Sequence, residues 1–494
     1  MLFKKIFSLL LCVALLFTAG CSKKEDNNAE NPKDNNGIIS EYADTNASMF
    51  DEKNIVLTFP VLSDIHLNGS FAVEYSYNKA VRAINLSKEF SVNKKLDLVC
   101  ATGDLVDCTN SKVMVQYGND KYPGTYEEQY AIQSVKERDN LLKVLLDTKS
   151  NYSQFFYCLG NHDGGNREKA TLFVEHLSGK NNENFDFFYG ADLDTQALYV
   201  GNRHIKVNGY NFLALDMSAD GSDFEWLKNK LDEILAEDKA QTIFLLHHFR
   251  PVNMTFASAG QSADLRDFLE AYPQVIVFGG HTHTYVDFDN ALMQSEKGFI
   301  SVDTGAVRYV TTDSIVSTTG AESLNTTKED VEAQSTGLLV EVDKNGNVRI
   351  GRYNYAINAK VGSSWVIPKV KDDGSRDLLY TKKREGSDVK PVFSEGDAFA
   401  KLSGKLLIIK FPAAYTNQKL YRYDINITDN ATGKKLKTKY ASSLFYKFAT
   451  PADMPKNYTI RIETDGTLSD DLTVKINGVD SWINKSEPIV INTK

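Results

Sequence analysis

The chain has 494 residues, with 56 Lys and Arg against 65 Asp and Glu, a net charge of −9 at neutral pH and 42 % hydrophobic residues. That length exceeds one ordinary core and implies more than one domain, and the apolar content suffices for a sizeable core. The acidic balance, spread along the chain, excludes a large basic surface for nucleic acid but leaves room for a local phosphate pocket.

The chain opens MLFKKIFSLLLCVALLFTAGC, two lysines followed by an apolar run from Ile6 to Phe17 and then small residues. The run is too short for a comfortable transmembrane helix, so residues 1–20 read as a secretory signal. Thr18-Ala19-Gly20-Cys21 resembles a bacterial lipobox. That resemblance implies cleavage before Cys21, lipid on its sulfur, and a mature chain anchored on the outer face of the cytoplasmic membrane. The stretch SKKEDNNAENPKDNNG is too polar to fold, and residues 21–50 read as a disordered tether. Beyond it remain Cys100, Cys108 and Cys158, an odd number with two inside apolar runs, which reads as core thiols and not a disulfide framework.

Five segments then share one pattern, an apolar run ending in a cluster of His, Asp or Asn: IVLTFPVLSDIH, LDLVCATGDLVD, FFYCLGNHD, TIFLLHHFRP and VIVFGGHTH. Continuous apolar runs of this length predict strands covered on both faces. Helical periodicity over Lys79–Phe90, Tyr126–Leu146 and Glu225–Leu235 intervenes, so residues 51–355 read as an α/β layered domain. In such sheets ligands bind outside the carboxyl ends of the strands, where every polar cluster sits. The insertion GNDKYPGTYEEQY and the loop NMTFASAGQSAD are expected at the rim of that face. Residues 356–390 are polar and turn-rich and read as a connector. From 391 to 494 the short alternating runs KLLIIKF, YRYDINIT, SSLFYKF, YTIRIET and DLTVKING predict a smaller all-β sandwich, loosely similar to a fibronectin type III or Ig-like module. It lacks a clear aromatic platform, so packing or spacing is expected of it before wall binding.

Six of the eight histidines, His66, His162, His247, His248, His281 and His283, fall in these clusters. His176 and His204 lie elsewhere and read as surface or packed residues. Asp64 and His66, two apart, would point the same way on an extended strand and can share one ion; His281 and His283 repeat that spacing. Asp104 adds a carboxylate, and Asn161 an amide oxygen. Oxygen and imidazole ligands without thiolate suit Mn, Fe, Zn or Co.

In this order D-x-H, GDxxD, GNHD, HH and GHTH resemble the calcineurin-like metallophosphoesterase superfamily, over roughly residues 55–355. The resemblance implies a four-layer α/β/β/α sandwich with two divalent or transition metal ions at the strand ends. It implies that Asp64, His66 and His283 hold one ion, that Asn161, His247 and His281 hold the other, and that Asp104 bridges both. His162 is expected to meet the phosphate or leaving group, with Asp163 orienting its ring. Of the adjacent pair, His247 is the expected ligand because it comes first after the apolar run, and His248 a substrate contact or a support. Asp107 is expected to cap or support, and Arg250 to touch phosphate or form an exposed salt bridge. Chemically, two cations about 4 Å apart can clamp a phosphate and activate a shared water, while His162 supplies a proton to the leaving alkoxide.

Purple acid phosphatases, a branch of this superfamily, carry a tyrosine where this chain has Asp107 and lack a counterpart of His66. The pattern resembles the bacterial phosphodiesterase-like branch instead. The expected activity is metal-dependent phosphoester hydrolysis, of diesters first, with monoester hydrolysis or non-catalytic binding as alternatives.

Overall fold

The computed structural model describes residues 41–67, 73–107, 126–163, 176–177, 202–215, 221–255, 261–311, 332–387, 389–441 and 445–493. The leader, Cys21, residues 22–40 of the tether, Cys108, residues 118–125 of the tyrosine-rich insertion and residues 256–260 of the second rim loop lie outside the described residues.

The strands of the first part are β1 (Ile55–Leu62), β2 (Leu98–Thr102), β3 (Gln154–Cys158), β4 (Arg203–Val207), β5 (Tyr210–Ala214), β6 (Ile243–Leu246), β7 (Val275–Gly279), β8 (Leu292–Gln294), β9 (Ile300–Asp303), β10 (Thr336–Asp343), β11 (Val348–Asn354), β12 (Ala359–Lys360) and β13 (Trp365–Ile367). The helices are α1 (Val73–Phe90), α2 (Tyr126–Thr148), α3 (Gly221–Glu237) and α4 (Ala263–Leu269). A seven-stranded sheet runs β12-β11-β10-β1-β2-β3, with β13 also on β11, and a six-stranded sheet runs β8-β9-β7-β6-β5-β4. The neighbours β1, β2 and β3 are parallel, as are β5, β6, β7 and β9.

Side-chain alternation on these strands builds the layers. Leu57, Phe59 and Val61 of β1, with Cys100, Phe156 and Cys158, meet Phe212, Phe244, Leu246, Ile276 and Phe278 of the other sheet in one shared core. Phe59 stands edge-on to Phe212 and to Phe244, each at 5.0 Å. The alternate residues Val99, Ala101, Phe155 and Tyr157 face Ala80, Ala83 and Ile84 of α1 and Leu141, Val144 and Leu145 of α2. On the far side Leu213, Leu245, Val275 and Val277 face Leu227, Leu231 and Ile234 of α3 and Leu265 and Leu269 of α4. The order is helix, sheet, sheet, helix. Strands covered on both faces have no polar side to show, which is why they read as unbroken apolar runs.

The segment read as a connector is part of this packed body. Its strands β12 and β13 extend the first sheet, and buried Arg376 binds Pro273 O, Pro368 O, Gln274 O and Thr242 Oγ1. Arg376 thus satisfies backbone groups of the domain, while Lys371, Asp377, Lys382 and Lys383 face water. Residues 41–50, read with the tether, are also docked: Thr45 N donates to Ser364 O at 3.0 Å and Phe50 is buried.

The last part holds β14 (Phe399–Ser403), β15 (Leu406–Pro412), β16 (Arg422–Asp429), β17 (Lys435–Ala441), β18 (Asn457–Glu463), β19 (Leu472–Val479) and β20 (Ile489–Asn492). A sheet β14-β15-β18 and a sheet β17-β16-β19-β20 share a core of Leu407, Ile409, Phe411, Tyr423, Ile425, Ile427, Val474 and Ile476. Of the run SSLFYKF, predicted as a strand, the described part is not one: Phe445–Lys447 is a single 3₁₀ turn. Its Phe445 and Tyr446 leave the sandwich and join Tyr285 and Phe288 in the large core. The sandwich is therefore fused to the α/β body through apolar packing. Among the described residues no helix is long and apolar enough to cross a membrane.

Candidate active site

The carboxyl ends of β1, β2, β3, β6 and β7 come together, and the loops leaving them interlock through backbone bonds. Asp64 N donates to Gly103 O, His66 N to Asp104 O, and Gly280 N to His248 O. Glycine permits the close approach. Gly103 has φ +95°, and a Cβ on it would lie 2.7 Å from His248 Nδ1. A Cβ on Gly280 would lie 1.9 Å from Ser63 Oγ.

The two-residue spacing predicts that the paired positions share a face by strand alternation, and the structure brings them together differently. The strands β1 and β7 have already ended, and Asp64, His66, Asp104, His281 and His283 all adopt left-handed backbone conformations, with φ of 50°, 45°, 49°, 71° and 53°. Such conformations cost about 1–3 kcal/mol each outside glycine and persist where surrounding structure over-determines them. Five of them here concentrate backbone strain on the residues that face one another.

Two clusters result. In the first, Asp64 Oδ1 lies 3.0 Å from His283 Nε2 and 3.7 Å from His66 Nε2, and the two Nε2 atoms are 3.2 Å apart. In the second, His248 Nε2 lies 3.0 Å from Asn161 Oδ1, 3.2 Å from Asp104 Oδ2 and 3.2 Å from His281 Nδ1, which is 2.8 Å from Asn161 Oδ1. Asp104 Oδ2 is also 3.7 Å from His66 Nε2, so it stands between the clusters.

Each carboxylate divides its oxygens. Asp64 Oδ2 accepts from Ser63 Oγ at 2.6 Å and from His281 N at 3.0 Å, which leaves Oδ1, buried and without a hydrogen-bond partner, facing the histidines. Asp104 Oδ1 accepts from His162 N at 2.8 Å and leaves Oδ2 for the clusters. The imidazoles are tied in the same way. His283 Nδ1 is 2.9 Å from Tyr309 O, His248 Nδ1 is 2.8 Å from Thr102 O, and His66 Nδ1 is 3.3 Å from Asp107 Oδ1. Those acceptors take the Nδ1 protons and aim the Nε2 lone pairs inward. Among the described residues three overlapping groups could hold a metal ion, Asp64-His66-His283, His66-Asp104-His162 and Asp104-His248-His281, and their imidazole and carboxylate donors suit hard or borderline divalent cations.

The electrostatics follow from burial. Burial opposes ionisation of Asp104, but the charge of His248 overcomes it and holds the carboxyl at about 2. Burial likewise opposes protonation of His248, and Asp104 lifts it to about 9. Burial, joined by the charge of His248, pushes His281 down to about 4. For Asp107, burial is outweighed by hydrogen bonds from His162 and His66, and its carboxyl stays well below the usual range.

The structure departs from the sequence reading at three further places. It is His248 and not His247 that joins Asn161, His281 and Asp104; His247 is turned to the carbonyl of Phe249. Proximity to the apolar run is a poor guide here, since the first residue after the strand still follows its pleat. Secondly, the carboxylate at the His162 ring is Asp107, whose Oδ1 is 3.1 Å from Nδ1. Asp163 is buried beneath, where its oxygens accept from Leu105 N, Val106 N and Gly160 N, and burial together with the charge of Asp104 raises it to about 7. Thirdly, Arg250 is neither exposed nor at the phosphate face: fully buried, it pairs with Asp303 at 2.9 Å. His176 pairs with Asp139 and His204 with Asn211, both away from the clusters.

Sequence reasoning missed Tyr309, whose ring lies 4.1 Å from that of His283 and 6.0 Å from that of His66, and Asp303. Asp303 ends the run FISVD and obeys the same apolar-then-polar pattern as the five segments singled out.

The sequence profile described as calcineurin-like phosphoesterase matches residues 57–285. No curated protein matches the chain. Among solved structures, a 5'-nucleotidase precursor from Thermus thermophilus is 11 % identical with a TM-score of 0.31, covering 88 % of this chain and 89 % of its own. A DUF3823 family protein from Bacteroides ovatus is 14 % identical with a TM-score of 0.15, covering 32 % and 82 %. Residues 57–285, seated on the layered sheets described above, are a calcineurin-like phosphoesterase domain, of a family of hydrolases that act on phosphoesters.

Proposed function

We propose that the chain hydrolyses phosphodiesters outside the cytoplasmic membrane, held there by lipid on Cys21. The observation that carries the hydrolytic reading is the division of Asp64 and Asp104, each with one oxygen tied to its own loops and the other turned toward inward-facing Nε2 atoms. Asp64, His66 and His283 would hold one divalent cation, and Asn161, His248 and His281 the other, with Asp104 between them. When bound, such ions neutralise a phosphoryl group and acidify water.

The remaining work falls to the chain itself. His162 sits at the edge of the clusters with its side chain 20 % exposed, within reach of a substrate. Asp107 Oδ1 stands 3.1 Å from its Nδ1, a charge that steadies the ring and leaves Nε2 to hand a proton to the departing oxygen. Asp107 Oδ1 also faces His66 Nδ1, so one carboxylate aligns an acid and a ligand together.

Diester preference rests on two features of the sequence, His66 two residues after Asp64 and Asp107 in place of a tyrosine, both as in the phosphodiesterase-like branch. The site outside the membrane rests on the leader and on Cys21. A form without residues 1–21, loaded with Mn(II), is expected to turn over bis-p-nitrophenyl phosphate faster than p-nitrophenyl phosphate. Preference for the monoester would replace the reading with a phosphatase or nucleotidase. No turnover of either with two ions bound would leave a binding role. In cells, Cys21→Ala is expected to release the chain from the membrane fraction.

A further inference from the structure

We infer that Asp303 is the positioning residue that holds both histidine-bearing loops in register, acting through Thr282 and Arg250. The inference rests on the metal-binding reading of the two clusters and adds to it a buried support.

Asp303 closes β9 and is 2 % exposed. Its Oδ2 receives Arg250 Nη1 at 2.9 Å and Thr282 Oγ1 at 2.9 Å, and its Oδ1 receives Gly305 N at 3.1 Å. Each partner belongs to a different part of the site. Thr282 lies between His281 and His283, one residue of each cluster. Arg250 lies two residues beyond His248, and its stem abuts Gly279, where a Cβ would fall 2.4 Å from Arg250 Cγ. Gly305 begins a loop whose Val307 N and Arg308 N donate to Ser63 O and Asp64 O, and whose Tyr309 O takes His283 Nδ1. One carboxylate thus ties the loops of His248, His281, His283 and Asp64.

The tie answers a physical need. His281 and His283 are both left-handed, so the three-residue stretch carries strain that only outside contacts can hold. Thr282 supplies a side-chain contact at its centre. The residue must be a carboxylate because fully buried Arg250 needs a countercharge, and an amide in its place would leave a buried cation unpaired. Supports of this kind, which orient ligands without touching the ion, are typically worth 10- to 100-fold in metal affinity.

The test uses the full chain without its leader, stripped of metal and titrated with Mn(II), read by calorimetry and by the Mn(II) resonance spectrum. Thr282→Val removes the hydroxyl yet leaves the Arg250–Asp303 pair intact, so the fold survives. Its Mn(II) affinity is expected to fall about 10- to 100-fold, with the melting temperature of the metal-free protein lowered only as far as the loss of buried hydrogen bonds at Thr282 requires, and Thr282→Ser is expected to restore both. Asp303→Asn is expected to lose more. Wild-type affinity in Thr282→Val, or failure of Thr282→Ser to rescue, overturns the inference while wild-type binding still upholds the metal reading. Absence of Mn(II) binding by the wild type overturns both.

Discussion

His66 Nε2 and His283 Nε2 face each other across 3.2 Å, each with its Nδ1 turned to an acceptor, Asp107 Oδ1 for one and Tyr309 O for the other. Two imidazole lone pairs at that separation repel unless a proton or a cation lies between them and Asp64. Asp104 bears on both clusters, so Asp104→Ala is expected to lower the bound metal from two ions per chain and to reduce phosphoesterase activity by at least about a hundredfold, more than loss of a supporting residue costs. Elemental analysis beside a circular dichroism spectrum checks it. Full activity in a folded variant would refute the assignment.

The histidine pair separates sharply. His248→Ala is expected to empty the cluster of Asn161 and His281, whereas His247→Ala, which removes a ring turned to Phe249 O, is expected to keep both ions. Metal content of the two variants side by side decides between them.

If His162 protonates the leaving group, as proposed, its value depends on how much that group needs a proton. His162→Ala is expected to slow alkyl phosphodiesters by roughly 10²–10⁴-fold, and p-nitrophenyl esters much less, because nitrophenolate departs unaided. Asp107→Asn is expected to follow the same trend more weakly. Rates across a series of leaving groups report the slope, and equal losses throughout would assign His162 to binding.

Asp44 gives an acid limit to the docking of residues 41–50. Its Oδ1 accepts from Ser364 N at 3.0 Å and pairs with Lys360. Burial works against the charge, yet Lys360 and the hydrogen bonds hold the carboxyl below its ordinary value of 3.8. A carboxyl lowered in the folded state contributes stability that is present above about pH 4 and is lost as pH falls through the folded value. Asp44→Asn is expected to cost on the order of 1 kcal/mol at neutral pH and to lose part of the steep fall below pH 4. Denaturant midpoints against pH measure both.

The Lys419–Asp287 pair, 2.9 Å apart and essentially unexposed, joins the sandwich to a segment four residues past His283. Lys419→Met would leave Asp287 buried without its cation, a loss of about 3–5 kcal/mol. Adding Asp287→Asn is expected to recover part of it. Because Tyr421, Phe445 and Tyr446 share a core with Tyr285 and Phe288, calorimetry is expected to show one transition in the wild type, and two in the single variant.

What the sequence determined by itself is the layered order and the face that gathers the chemistry. Strands such as Val99–Thr102 and Phe244–Leu246 are buried on both sides, so their composition alone betrays them, and helix periodicity from Lys79 and from Tyr126 follows from burying one face on a sheet. The polar clusters stand out because a charged group straight after a buried run must lie at the end of the strand. The tertiary structure alone decided which groups meet. His248 over His247, Asp107 over Asp163 at the His162 ring, and Arg250 turned inward to Asp303 depend on left-handed turns at Asp64, His66, Asp104, His281 and His283. Those turns are unfavourable locally and exist only because neighbouring loops hold them, so nothing in the local sequence announces them. The same holds for Arg376 in the segment 356–390, whose buried side chain is spent on distant backbone groups of the body and therefore reads, in isolation, as if it faced water.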